Sequence, residues 1–296
     1  MLDKFKVASI QPRLFGHSDD SYEKNLENAV KMIREAAGNG ANVACLPELF
    51  LGGSVIESIP GRATDMISDV CKDCGIHVIG HSWERVPSNR VGRSALPKFR
   101  EGDIFSTSFF IDPSGEIIGL FRKAHLFPWE PKIFNCLPGN ELPVFNTVFG
   151  VIGILVCHDL MIPEAARTLT LKEAEVIFVP SMMPAPFQYR WKNIMRARAL
   201  DNQVYMVSAG VADSKACGSL IVAPRFRDDI LAEADPNDQK IIYAELDLSW
   251  LREKRKGSPL YSIKRRDFRS HKYEEEIDTH CFLKDRRPEL YKYETS

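Results

Sequence analysis

Short apolar runs alternate with stretches of helical periodicity along most of this chain. Residues 5–11 read as a first strand, closed by Pro12. Asp20 or Ser21 can then cap a helix whose apolar positions Tyr22, Leu26, Ala29, Val30, Ile33 and Ala37 share one face, with Gly38 and Gly40 ending it. A short apolar strand over 43–47, a helix over 63–74 and a strand over 76–81 repeat the alternation. Between 84 and 103 the pattern lapses into a polar segment carrying Arg90, Arg93, Lys98 and Arg100, which reads as a loop with solvated charges. A hairpin follows, 105–111 and 116–121, about the turn Asp112-Pro113-Ser114-Gly115, and then a second loop over 131–143. Beyond it the spacing predicts helices over 163–171 and 189–201 and strands over 175–179, 204–209, 218–223 and 240–246. Strands alternating with helices imply an α/β fold with helices packed outside sheets. No repeat or composition break divides the chain, so one domain is expected.

The run from Gly150 to Val156 is continuous, apolar and too short for a helix, so it reads as a buried strand. It stops at Cys157-His158-Asp159, and Pro163-Glu164 beyond looks like the first turn of a helix. A thiol on a strand-to-helix turn can use free backbone amides to favour thiolate and to hold an oxyanion. A buried structural cysteine is the other reading, and this stretch alone leaves both open. Glu48 stands directly after the strand ending at Pro47, among Leu46, Leu49, Phe50 and Leu51, where a carboxylate needs a partner or a raised pKa. Lys123 likewise stands at a strand end, with Glu130 a short way beyond it.

Composition narrows the partners. With 296 residues the chain can bury a large core, and 39 basic against 40 acidic residues give a net charge of −1. No global field draws nucleic acid or anionic membrane, and small neutral or mixed-charge ligands fit better. No apolar stretch approaches membrane-spanning length and the amino terminus lacks a signal-peptide pattern, so a cytosolic protein is expected. Seven scattered cysteines argue for reduced thiols, and Cys71-Lys72-Asp73-Cys74 lacks the second ligand pair of a zinc site. From Leu251 onward Arg252, Lys254, Arg255, Lys256, Lys264, Arg265 and Arg266 make a basic tail, answered by Glu274, Glu275 and Glu276, which reads as solvated or inter-subunit.

Three complementary groups, Glu48, Lys123 and Cys157, thus stand just past three strands. Here the chain resembles the nitrilase, or carbon–nitrogen hydrolase, superfamily. The motifs are Leu46-Pro47-Glu48-Leu49-Phe50, Arg122-Lys123-Ala124-His125-Leu126-Phe127, and Cys157-His158-Asp159 with Pro163-Glu164. The resemblance covers about residues 5–268, because the hairpin turn, Arg196-Ala197-Arg198-Ala199 with Asn202-Gln203, and Asp247-Leu248 also fit. It implies a four-layer α-β-β-α sandwich, a domain over 1–268, and a tail over 269–296 packed on the core or a neighbouring subunit. It implies Cys157 as nucleophile, Glu48 as general base, Lys123 as oxyanion stabiliser and Glu130 as an additional active-site carboxylate. Association as dimers or larger assemblies is implied too, with neither metal nor organic cofactor.

The resemblance leads to thiol-dependent hydrolysis of a small linear carboxamide or N-carbamoyl compound through a thioester acyl-enzyme. Asp159 and the Pro163-Glu164 pair look like the amidase and carbamoylase branches, whereas nitrilases more often carry Trp-Glu after the cysteine. Nitrile hydrolysis, or a non-catalytic binding protein with this fold, are the alternatives. Ser106 where many members have Asn, Gly210 for a frequent Asn, and Arg225-Phe226-Arg227 in a usual turn region are departures that leave the triad untouched. His158, Met182, Met183 and Phe187 are the expected substrate-binding residues, and Lys123 is expected to favour thiolate at Cys157.

Overall fold

The first strand shows why the chain layers as it does. The computed structural model describes residues 2–53, 55–87, 100–256, 283 and 286–291. In β1 (Lys4–Gln11) the side chains of Phe5 and Val7 enter the core shared by two sheets, while Ala8 and Ile10 enter a second core beneath helices. Helix α1 (Tyr22–Gly38) closes that second core with Leu26, Ala29, Ile33 and Ala36, and α2 (Arg62–Cys74) adds Ala63, Ile67 and Val70. At the start of α1 the Ser21 hydroxyl donates to the Ser18 carbonyl at 2.7 Å rather than capping the helix.

The first sheet continues through β2 (Val43–Cys45), β3 (Ile56–Glu57), β4 (His77–Arg85), β5 (Ile104–Ile111) and β6 (Ile117–Arg122). The second contains β7 (Val144–Thr147), β8 (Gly150–Ile154), β9 (Val176–Pro180), β10 (Tyr205–Ala209), β11 (Leu220–Val222) and β12 (Ile230–Glu233). Finally β13 (Lys240–Asp247) returns to the first sheet beside β1. The strand orders are β13-β1-β2-β4-β5-β6, with β3 on β4, and β12-β11-β10-β9-β8-β7. Parallel pairing at β1/β2/β4 and at β8/β9/β10 leaves both faces of each sheet to be covered. Helix α4 (Pro163–Leu171) and α5 (Gln188–Asn202) cover the outer face of the second sheet with Ala165, Leu169, Trp191, Met195 and Ala199. The expected α-β-β-α sandwich results. Its two sheets are also pinned by polar contacts: Ser9 Oγ donates to the Ser208 carbonyl at 2.7 Å, and Gln11 Oε1 accepts the Ser219 N–H at 2.6 Å.

Three expectations are corrected. The loop over 131–143 opens with a short helix, α3 (Glu130–Phe134), and is followed by β7, a half-buried edge strand with weak alternation. Strand β12 is likewise half-buried and was not expected. The basic segment begins as helix α6 (Leu248–Lys256), and its cations are not simply solvated. Lys254 Nζ donates to the Pro224 carbonyl at 2.6 Å, and Arg255 donates to the carbonyls of Gln203 and Ala174. Arg252 forms a two-point pair with Glu175 at 2.7 and 3.1 Å. These heads satisfy orphan carbonyls at the ends of the second sheet and dock α6 across it. Residues 88–99, most of the expected polar loop over 84–103, and most of the tail over 269–296 lie outside the described residues. Among the described residues no helix is long and apolar enough to cross a membrane.

The Arg252–Glu175 pair yields a stability test. Glu175 is 9% exposed and Arg252 25%, so removing the cation strands a largely buried carboxylate. Arg252→Met is expected to lower the unfolding free energy by ~2 kcal/mol, read as a lower urea midpoint at unchanged slope. Arg34→Met, which breaks the exposed pair to Asp73, is expected to cost less than ~0.5 kcal/mol.

Candidate active site

Four strand ends meet between the sheets. Leu46 extends β2 by one ladder bond to the Ile79 carbonyl, and the chain turns at Glu48 and Leu49, the latter in left-handed backbone at φ 60°. That turn is held from below: the Leu49 N–H donates to His81 Nδ1 at 3.3 Å, and His81 Nε2 is 2.8 Å from Ser106 Oγ. Because Nδ1 accepts, the ring proton sits on Nε2 and is donated to Ser106. Burial pushes the His81 pKa down to about 4, so the imidazole is neutral. Ser106 also accepts the Lys123 N–H at its carbonyl, at 2.8 Å, which fixes the end of β6 where the lysine emerges.

Lys123 is 1% exposed, and its ammonium is divided between two carboxylates. Nζ lies 2.8 Å from Glu48 Oε1 and 2.8 Å from Glu130 Oε1. The second oxygen of each carboxylate is held by backbone: Glu48 Oε2 by the Met182 N–H at 3.1 Å, and Glu130 Oε2 by the Phe127 N–H. Glu130 opens α3, so the helix that was not expected is what places this carboxylate. Burial alone would neutralise Lys123, but the charges of Glu48, Cys157 and Glu130 outweigh it and raise its pKa. For Glu48 burial is outweighed by Lys123 and the carboxyl pKa is lowered, whereas for Glu130 burial and the charge of Glu48 prevail and the pKa is raised. Of the two, Glu48 is the one whose charge bears on the Cys157 thiol.

Cys157 follows β8 after Leu155 and Val156 and opens a 3-10 turn that runs to Met161, rather than the first turn of α4 itself. Its backbone is left-handed at φ 45°, a conformation that L-residues adopt only where surroundings enforce it. The enforcing group is Asp159, fully buried. Asp159 Oδ2 accepts the Val156 N–H at 3.0 Å, while Oδ1 accepts the His125 N–H at 2.8 Å and lies 2.8 Å from His125 Nδ1. One carboxylate thus ties the cysteine turn to the segment that leaves Lys123. The hydrogen bond to Asp159 raises the His125 pKa, which marks this ring as the partner of a buried charge.

The thiol opens on the same cavity as Glu48, Lys123 and Met182. Its pKa is raised, first by burial and then by the negative charge of Glu48, with Lys123 opposing. Lys123 favours thiolate, as expected, but burial and the charge of Glu48 outweigh it, so the resting sulfur is a neutral thiol. The chemistry available is proton transfer from sulfur to Glu48 coupled to attack, beside a cation that can follow developing negative charge.

A cavity of about 230 Å³ opens on these groups, lined by Glu48, Leu49, Lys123, Phe127, Trp129, Glu130, Cys157, Met182, Met183, Pro184, Asp213, Lys215 and Ala216. It unites Glu48, Lys123, Glu130, Cys157, Met182 and Met183 from the sequence reading. His158 is not in that lining; its ring meets Phe127 edge-on at 5.3 Å. Phe187 is also outside it, 38% exposed beneath the Arg190 guanidinium. Leu49, Phe127, Trp129 and Ala216 line the cavity without having been expected there. His81, Ser106 and the bonding of Asp159 were also missed; only the strand positions of the first two and the motif position of Asp159 hinted at them. Among the described residues no cluster of His, Cys, Asp and Glu is placed to hold a metal ion. The described cysteines are all free thiols, Cys71 and Cys74 included.

The family model described as "Carbon-nitrogen hydrolase" matches residues 6–256. Omega-amidase NIT2-A of Xenopus laevis is 31% identical over 287 residues, covering 89% of this chain and 96% of the relative. A protein named nitrilase from Pyrococcus abyssi is 33% identical over 251 residues, covering 79% and 87%. Among solved structures, Saccharomyces cerevisiae Nit3, a member of branch 10 of the nitrilase superfamily, superposes with a TM-score of 0.72 at 28% identity, covering 90% of this chain and 97% of that one.

The neutral thiol predicts a pH profile. Alkylation of Cys157 by iodoacetamide, read on its peptide by mass spectrometry, is expected to rise about tenfold per pH unit from roughly pH 6 to 9 without a plateau. A plateau reached near neutrality would mean a thiolate at rest and would contradict the assignment.

Proposed function

We propose that this chain, which belongs to the carbon–nitrogen hydrolase family, hydrolyses a small linear carboxamide through a thioester acyl-enzyme on Cys157. The observation that carries the reading is a buried lysine 2.8 Å from each of two carboxylates, on one cavity with a cysteine whose proton one of them can take. The relatives named omega-amidase support amide over other carbon–nitrogen substrates.

The steps follow from the positions. Glu48 takes the thiol proton as Cys157 Sγ attacks the amide carbon, and the carbonyl electron pair moves onto oxygen. Lys123 Nζ and the His158 backbone N–H, on the turn just past the nucleophile, hold that oxyanion. Glu48 returns the proton to nitrogen as the carbon–nitrogen bond breaks, so ammonia leaves and a thioester remains. Water then attacks the thioester, again giving a proton to Glu48, and the intermediate collapses to a carboxylic acid and the free thiol. Glu130 keeps the ammonium aimed between Glu48 and the oxyanion position throughout. A nitrile would undergo the same thiol attack, and the Pyrococcus abyssi relative keeps that second reading in view.

The reading is tested by ammonia release from simple carboxamides, N-carbamoyl compounds and nitriles. Release from amides or carbamoyl compounds is expected, abolished in Cys157→Ala and about a thousandfold slower in Glu48→Gln. Release from nitriles alone would favour the second reading, and activity surviving in Cys157→Ala would remove the nucleophile.

A further inference from the structure

The start of α3 brings two consecutive residues to the catalytic cavity. Glu130 places its carboxylate on Lys123, and Trp129 joins the cavity wall. The tryptophan is held from several sides. Its carbonyl accepts the N–H groups of Lys132 and Ile133 at 3.0 Å each, and its ring meets Trp83, Phe134 and Phe127 edge-on, with centroids 6.3, 6.2 and 6.4 Å away. Even so it stays 36% exposed, so three aromatic neighbours fix the ring without covering it. A rigid aromatic surface left open beside a nucleophile is a surface for a ligand.

The wall around it has the same character. Leu49, Phe127, Met182, Met183 and Pro184 line the cavity beside the reacting groups. Leu49 and Met182 belong to a small apolar cluster with Trp83, Leu126 and Phe134, separate from the two large cores of the sandwich. Asp213 and Lys215 also line the cavity, from one loop and with opposite charges, and the Lys215 N–H donates to Asp213 Oδ1 at 2.8 Å. That loop adds no net charge. Glu48, Lys123 and Glu130 are already committed to one another. An apolar cavity of about 150 Å³ holds a benzene ring, so about 230 Å³ leaves space for a ring and for the carboxamide that reaches Cys157.

We propose that the acyl group of the substrate is apolar and ring-bearing, and that Trp129 is the residue that selects it. The inference rests on the amide-hydrolysis reading and extends it from the bond cleaved to the group beside that bond. An aryl ring in this cavity meets the rings of Trp129 and Phe127 and the thioethers of Met182 and Met183, contacts that favour aromatic groups beyond the area they bury. A carboxylate in the same place loses its water against an apolar wall. The lining, with three carboxylates against two ammonium groups, offers no net positive charge to offset that loss.

Binding to the Cys157→Ala variant, followed by ligand-detected NMR titration, tests the selection apart from turnover. The probes are 3-phenylpropanamide, glutaric acid monoamide, which carries a carboxylate in place of the ring, and butanamide, which carries neither. The aryl amide is expected to bind at least about tenfold more tightly than either of the others. Adding Trp129→Ala is expected to remove most of that margin while butanamide binding stays within about twofold, and Trp129→Phe to keep most of the margin. Tighter binding of the acid amide, equal binding of all three, binding of none, a margin that survives Trp129→Ala, or an equal loss of butanamide binding in that variant overturns the selection. The hydrolysis reading fails instead if the wild-type enzyme releases no ammonia from any amide, a result on which the binding ratios do not depend.

Discussion

A single ammonium group, Lys123 Nζ, stands between two buried carboxylates, and the site depends on it. Burying one cation beside two anions costs several kcal/mol in desolvation unless each charge is paired and hydrogen-bonded. Here each carboxylate has one oxygen on the lysine and the other on a backbone N–H. The cluster carries one positive and two negative charges, which explains why the neighbouring thiol stays neutral at rest: thiolate would add a third negative charge. Transfer of the thiol proton to Glu48 during attack keeps that sum constant, since the negative charge lost at Glu48 reappears on the substrate oxygen beside Lys123. The reaction moves charge within a prebuilt field rather than adding to it.

The fold supplies this cluster by convergence of strand ends. Glu48 comes from the end of β2, Lys123 from the end of β6, and Cys157 from beyond β8 in the opposite sheet. Two buried hydrogen-bond systems fix their relative positions. His81 joins the Glu48 turn to Ser106, whose carbonyl in turn holds the Lys123 backbone. Asp159 joins the cysteine turn to His125, two residues past Lys123. Each reacting group is thus tied to its neighbours through rigid elements, which is what a constellation sensitive to displacements of an ångström requires.

Much of this was legible beforehand, for reasons that differ by residue. The strand-helix alternation and the apolar run before Cys157 marked the architecture, because buried parallel strands leave a continuous apolar signature. Glu48, Lys123, Glu130 and Cys157 stood out by position and by their resemblance to one family's ordered motifs. His81 and Ser106 did not, because a hydrogen bond between adjacent strands joins residues 25 apart in sequence without leaving a local pattern. That burial and Glu48 outweigh Lys123 at the thiol was not legible, because sequence shows one lysine and one cysteine and not how deeply the sulfur is buried. Likewise the cations of α6 read as solvated: charge along a chain does not tell whether a long side chain reaches back to a carbonyl. Strands β7 and β12 were missed because a half-buried edge strand of four residues barely alternates.

The central claim is that amide cleavage passes through an acyl group on the sulfur of Cys157. The most direct measurement is intact and peptide mass after acid quench, a few milliseconds to seconds into turnover of an amide that releases ammonia. The account predicts an adduct equal in mass to the acyl group, on the peptide carrying Cys157, which disappears as substrate is exhausted. Turnover with no adduct at any quench time, or an adduct on another cysteine, would contradict the account.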